Sequence, residues 1–203
     1  IYALIALGYT MVYGIAKMIN FAHGDIIMVG AYTLYVCVSL LHLHPILAVI
    51  ITILVCALLG VVIEKIAYKP LRQAPPLAVL ITAIGVSYLL QNLALLIFGS
   101  NTKSFPEVIK LPNLKLAGGK LTITGTTILT IVLCIVIMAG LMLFINKTKA
   151  GQAMLAVSED KGAAQLMGIN VNKTISMTFA IGSALAAIAG VLLCSAYPSL
   201  TPY

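Results

Sequence analysis

Residues 19–32 read INFAHGDIIMVGAY, and Asn20, His23, Gly24 and Asp25 fall within six positions between two strongly apolar runs. An amide, an imidazole and a carboxylate beside a glycine can cap a helix, line a polar path or hold a charged ligand. Each is costly in hydrocarbon, so an ionisable residue at membrane depth points first to function. Gly24 permits a break in the helix, Asn20 can bond the backbone groups that a break frees, and Asp25 can cap the following span. Unwound backbone inside a membrane survives only when it is buried in protein or lines a water-filled cavity. A broken helix also aims the amides of one half at such a cavity, a favourable place for a carboxylate. The expectation is a broken helix beside a solute pathway, with His23 orienting the turn. Asp25 is then structural or receives a substrate ammonium. The competing reading is an ordinary cytoplasmic turn in which Asp25 only caps.

A second polar face is formed by Ser87 and Gln91, four residues apart with Tyr88 and Asn92 beside them. It suits either the pathway or a hydrogen bond to a neighbouring helix. Nucleophilic chemistry needs a nucleophile beside a base. His23 and Asp25 are two apart, point to different sides of a regular helix, and have no Ser or Cys motif beside them. The HLHP stretch at 42–45 offers two imidazoles, short of the four ligands a structural metal usually takes. An enzyme and a metal site are therefore not expected, nor a resident cofactor.

The elements that carry these residues are membrane helices. Only 8% of the 203 residues are charged and 62% are hydrophobic, against about 25% charged in soluble domains. The mean hydropathy is +1.13. Six apolar stretches predict spans at about 1–16, 26–41, 46–63, 77–98, 126–145 and 174–195, none containing Asp, Glu, Lys or Arg. ILAVIITILVCALLGVVI shows no alternation of the kind a barrel strand needs. The fold class expected is all-α, a polytopic transmembrane helix bundle forming one membrane domain over 1–203, with Ile1 and Tyr203 reading as cut ends of a longer chain. Gly182, Ala186, Ala189 and Gly190 predict close helix packing. The four cysteines lie far apart in apolar runs and read as small buried hydrophobes.

The net charge of +7 is spread between spans, which excludes nucleic acid as a partner and follows the positive-inside bias. The stretches 17–25, 64–76 and 146–173 carry eight Lys and Arg, against four in 42–45 and 99–125. That places 146–173 in the cytoplasm. The outer loop, 99–125, has Pro106, Pro112 and Gly118-Gly119 between short apolar stretches and predicts turns with a small hairpin.

The cytoplasmic loop, NKTKAGQAMLAVSEDKGAAQLMGINVNK, predicts a helix over 159–167. Ser158 is the expected N-cap, Glu159 and Asp160 favour the first turn, and Gly168 suits a left-handed stop. Ala163, Leu166 and Met167 share a face, and Ala163 and Ala164 allow close approach. So short a helix must dock on something: lipid surface, the rest of the bundle, or a separate subunit.

AAQLMG resembles the A-A-x-x-x-G core of the coupling loop in ATP-binding-cassette importer permeases, with Glu159 four residues before Ala163 where the commonest form has a Glu directly before the alanines. YALIALGYTMVYGIAKMINFAHGDIIMVGAY, ITAIGVSYLLQN and TFAIGSALAAIAGVLL are similar to the H-type permease of the branched-chain amino-acid importers and to its urea and short-amide relatives. The resemblance implies a subunit of a bacterial inner membrane importer. It implies four kinds of partner: a second homologous permease, two ATPase subunits that bind the ATP, a soluble substrate-binding protein, and membrane lipid. The chain has no G-x-x-x-x-G-K-[ST] phosphate loop of its own. Ser158, Glu159, Asp160, Ala163, Ala164, Met167 and Gly168 would couple ATPase motion to the spans. A stand-alone ion-coupled carrier or channel would not require that helix.

Overall fold

The computed structural model describes residues 1–104, 114–116, 121–197 and 199–201. Apolar runs become helices where predicted, within about three residues at most ends: α1 (Tyr2–Ala16), α2 (His23–Tyr35), α3 (Pro45–Ile63), α4 (Pro76–Phe98), α5 (Gly125–Lys147) and, after the loop 148–170, α8 (Val171–Ala196). Prolines at the first positions of α3 and α4 start those helices, since a missing N–H costs nothing there. Among the described residues five helices are long and apolar enough to cross a membrane, and α1 is a shorter apolar helix of 15 residues.

Four spans outrun their apolar runs and take in a charge; α5 and α8 reach only Lys147 and Lys173 near their ends, and the other two go further. α2 begins at His23 and so includes Asp25, and it continues through a wider turn at Val36–Leu40. α3 continues through Glu64–Tyr68 and Lys69–Leu71, which carries Glu64 into the bundle. The expectation that no span holds a charge is thus corrected: partner groups within the fold let the helices run on.

α8 is the central helix, packed against α1, α2 and α3. Its small residues set the spacing. A Cβ on Gly182 would collide with Val12 of α1, and one on Gly190 would lie 2.9 Å from the Ile27 carbonyl of α2. Ala186 and Ala189 are fully buried beside them. α4 and α5 are peripheral, and they expose Leu77, Ile81, Leu96, Ile131 and Ile135 as membrane-facing surface.

The loop 148–170 folds into two helices, α6 (Lys149–Glu159) and α7 (Lys161–Leu166). α6 buries Met154 and Val157 in the main core and packs on α1, α5 and α8. At the opposite end of the bundle, Leu114–Leu116 pairs antiparallel with Leu121–Ile123, the hairpin anticipated there, and Lys103–Ser104 pairs with Ser199–Leu200. Pro106, Pro112 and Gly118-Gly119 lie outside the described residues.

Candidate functional site

The helix break lies earlier than Gly24. α1 ends at Ala16, the next residue, Lys17, turns left-handed (φ 57°), and residues 17–22 are non-helical until α2 begins at His23. Gly24 is the second residue of α2; a side chain there would meet nothing within 4 Å, so the position opens to space and needs no special backbone. The six residues that interrupt the helix are not glycine-rich, which is why sequence reasoning placed the break too late.

The interruption is partly buried in the bundle: Met18, Asn20 and Ala22 are enclosed, whereas Lys17 and Phe21 are exposed. Asn20 is 2% exposed, and its Oδ1 accepts a hydrogen bond from Tyr68 Oη at 3.0 Å. His23 sits against Gly8 near the middle of α1, and the Gly8 position also faces the Gly182 carbonyl near the middle of α8. Its ring meets Tyr9 edge-on at 5.9 Å, and Nε2 has no hydrogen-bond partner. α2 therefore starts partway through the bundle, level with the middle of α1 and α8.

Asp25 does not cap α2. The N-cap is Ala22, which offers no side-chain acceptor, so the first-turn amides at Gly24 and Asp25 are left open. The Asp25 carboxylate instead accepts from Gln91 Nε2 at 2.9 Å, and the same amide reaches Ser87 Oγ at 3.3 Å. The structure thus brings Asp25, Gln91 and Ser87 together and leaves Tyr88 and Asn92 on the exposed side of α4. Gly24 and Asp25 line a cavity of about 680 Å³ that runs past Met28 and Ala31 to Tyr2 and Tyr197, at the end opposite α6 and α7. Its size lies within the range of small-molecule sites, about 300–1,000 Å³.

At the end that carries α6 and α7 the structure adds Glu64, Arg72, Asn172 and Ser176, of which the sequence reading used only Arg72, for counting charge. Glu64 is fully buried; one oxygen pairs with Arg72 and the other accepts from Ser176 Oγ at 2.5 Å. Arg72 also donates to Asn172. This network fastens the end of α3 to the start of α8. A polar residue just past an apolar run is the only sequence signal it leaves.

The expected coupling helix is re-divided. Ser158 is inside α6, where its hydroxyl donates to the Leu155 carbonyl at 2.6 Å, and Glu159 is the last residue of that helix. The N-cap of α7 is Asp160, extended in backbone, whose Oδ1 accepts from Gly162 at 2.7 Å and Ala163 at 3.0 Å. The apolar pair Met154 and Val157 draws α6 on past Ser158, so capping passes to the next acceptor. Gly168 stops α7 as anticipated, at φ 82°, with Ile169 N–H donating to Ala164 and Gly168 N–H to Gln165 in a Schellman pattern. Ala164 is buried, whereas Leu166 and Met167 are 90% and 83% exposed. Lys161 Nζ donates to the carbonyl of Ala16, the last residue of α1, at 2.8 Å. α7 is thereby tied to the helix end just ahead of the break.

A bundle with a partly buried helix interruption, a cavity reaching it from one end and an exposed apolar knob at the other has the parts of a transport subunit. All of residues 1–203 match the family described as branched-chain amino acid transport system / permease component. The chain belongs to that family. It is a multi-pass inner-membrane permease component and not an enzyme. It is 42% identical to the high-affinity branched-chain amino acid transport system permease protein BraD of Pseudomonas aeruginosa, over 99% of this chain and 69% of that one. It is 37% identical to LivH of Escherichia coli, a permease protein of the same description, over 100% of this chain and 69% of the relative. A more distant relative, from Methanocaldococcus jannaschii, is a probable branched-chain amino acid transport permease protein, 30% identical over 94% of this chain and 61% of its own length. No solved structure matches.

Proposed function

We propose that this permease imports a branched-chain amino acid by alternating access, driven by separate ATPase subunits. The observation that carries the reading is Asp25: a buried carboxylate with a neutral amide as its hydrogen-bond partner, facing a cavity beside the open amides of a helix start. A zwitterion needs both features, an anion for its ammonium and free N–H groups for its carboxylate. The apolar wall at Met28 and Ala31 suits an aliphatic side chain. The names of the relatives support the same substrate class. Urea carries no ammonium and makes no use of the carboxylate's charge.

In this reading α7 is the coupling helix and Leu166 and Met167 fill a socket on an ATPase subunit. Movement of α7 pulls on Ala16 through Lys161 and so shifts residues 17–22, which carry the start of α2. His23 packs that start against α1 and keeps α2 in register as it moves. The working assembly pairs this chain with a second homologous permease, two ATPase subunits and a soluble receptor that delivers substrate.

The test is leucine uptake into ATP-loaded vesicles that contain the full assembly, with urea and acetamide as competitors. Uptake should require ATP and be competed by isoleucine and valine but not by the amides. Uptake driven by an ion gradient without ATP, or competition by urea alone, would overturn the reading.

A further inference from the structure

Lys17, Arg72 and Lys161 come from three separate segments and line one cleft of about 380 Å³ at the cytoplasmic end, between the end of α1 and the start of α4. We propose that this cleft binds the phosphate of an anionic phospholipid of the cytoplasmic leaflet. The inference is separate from substrate recognition and uses none of the residues around Asp25.

Charge in the cleft is unbalanced. Glu64 is the carboxylate that contacts Arg72, and both its oxygens are already engaged, one by Arg72 and one by Ser176. Arg72 is bonded through both terminal nitrogens, yet its Nε is buried with no partner. Lys161 uses one hydrogen on Ala16 and has two more to give. Burial first, then the charges of Arg72 and Lys17, pull the Lys161 ammonium below the usual lysine range. A bound anion would relieve all three cations at once. The start of α4 adds its positive helix end, since Pro76, Val79 and Leu80 form one wall.

The walls decide which phosphate. Met18, Ile19, Val79 and Leu80 continue the cleft inward along the spans, where a soluble anion gains nothing. On the same helix as Val79 and Leu80, Leu77 and Ile81, one turn apart, are 65% and 61% exposed and offer a track for an acyl chain. Basic pockets between membrane helices on the cytoplasmic side commonly hold such headgroups.

The experiment uses the intact transporter in lipid discs of phosphatidylcholine and phosphatidylglycerol in equal parts, with retained lipid counted by native mass spectrometry after release into detergent. One phosphatidylglycerol should be kept per permease copy. Lys17→Gln, at an exposed position, should lower its retention about fivefold, and the double variant with Lys161→Gln further still, as loss of one lysine near a charged headgroup implies. Unchanged thermal unfolding of Lys17→Gln in phosphatidylcholine alone would show that the fold is intact. Equal retention by wild type and the double variant would overturn the proposal. So would displacement of the lipid by millimolar inorganic phosphate, which would make the site one for a free anion.

Discussion

Among the described residues two carboxylates are buried, and their surroundings differ. Glu64 is held by Arg72 and Ser176, and through Arg72 it is linked to Asn172, so its charge is spent within the chain. Asp25 accepts from a neutral amide, Gln91, at the wall of a cavity. A buried charge without a counter-charge is expensive. Fastening two helix ends explains Glu64; Asp25 fastens nothing comparable, and under the proposed function it meets a charge that arrives from outside.

The sharpest way to break this comparison is to remove each carboxylate. Glu64→Ala leaves Arg72 buried without its counter-ion and should cost about 3–5 kcal/mol, read as a lowered unfolding midpoint of the purified assembly. The double change Glu64→Leu with Arg72→Leu should recover much of that loss. Asp25→Asn should barely move the midpoint yet lower uptake efficiency about 100-fold, as loss of a buried charge partner for a ligand implies. Should the two variants behave alike, the distinction between them disappears.

The exposed knob on α7 extends the comparison. Leu166 and Met167 touch little of their own chain, so Leu166→Glu should change the stability of the permease by less than about 0.5 kcal/mol. It should nevertheless reduce co-purification of the ATPase subunits about tenfold, measured by quantitative gel. The smallest pair of effects separates the caps. Asp160→Ala should destabilise α7 by about 1 kcal/mol, seen as faster amide exchange over 161–166, whereas Ser158→Ala should leave that exchange unchanged.

Much of this architecture is legible in the sequence, for physical reasons. Helices that face lipid must be apolar over their whole length, so 77–98 and 126–145 nearly coincide with α4 and α5. Gly168 was readable because a left-handed stop favours glycine, and Gly182 and Gly190 because two helices touch there. Pairings between distant segments were not readable. Nothing near Glu64 announces Ser176, more than a hundred positions away, and nothing near Ala16 announces Lys161. The break was misplaced for a related reason: the backbone of 17–22 is held by Tyr68 and by burial, not by a local glycine. Ser158 misled because any of several adjacent acceptors can cap, and packing of Met154 and Val157 decides which one does.

The depth and exposure of the α2 start can be measured with a single thiol. Gly24→Cys, placed where a side chain meets open space, is introduced into an assembly whose own cysteines have been replaced by serine or alanine. It is then treated with a membrane-impermeant maleimide from either side. The account predicts labelling from the external side in the resting state, and protection when leucine is bound. Labelling from the cytoplasmic side alone, indifferent to leucine, would contradict it.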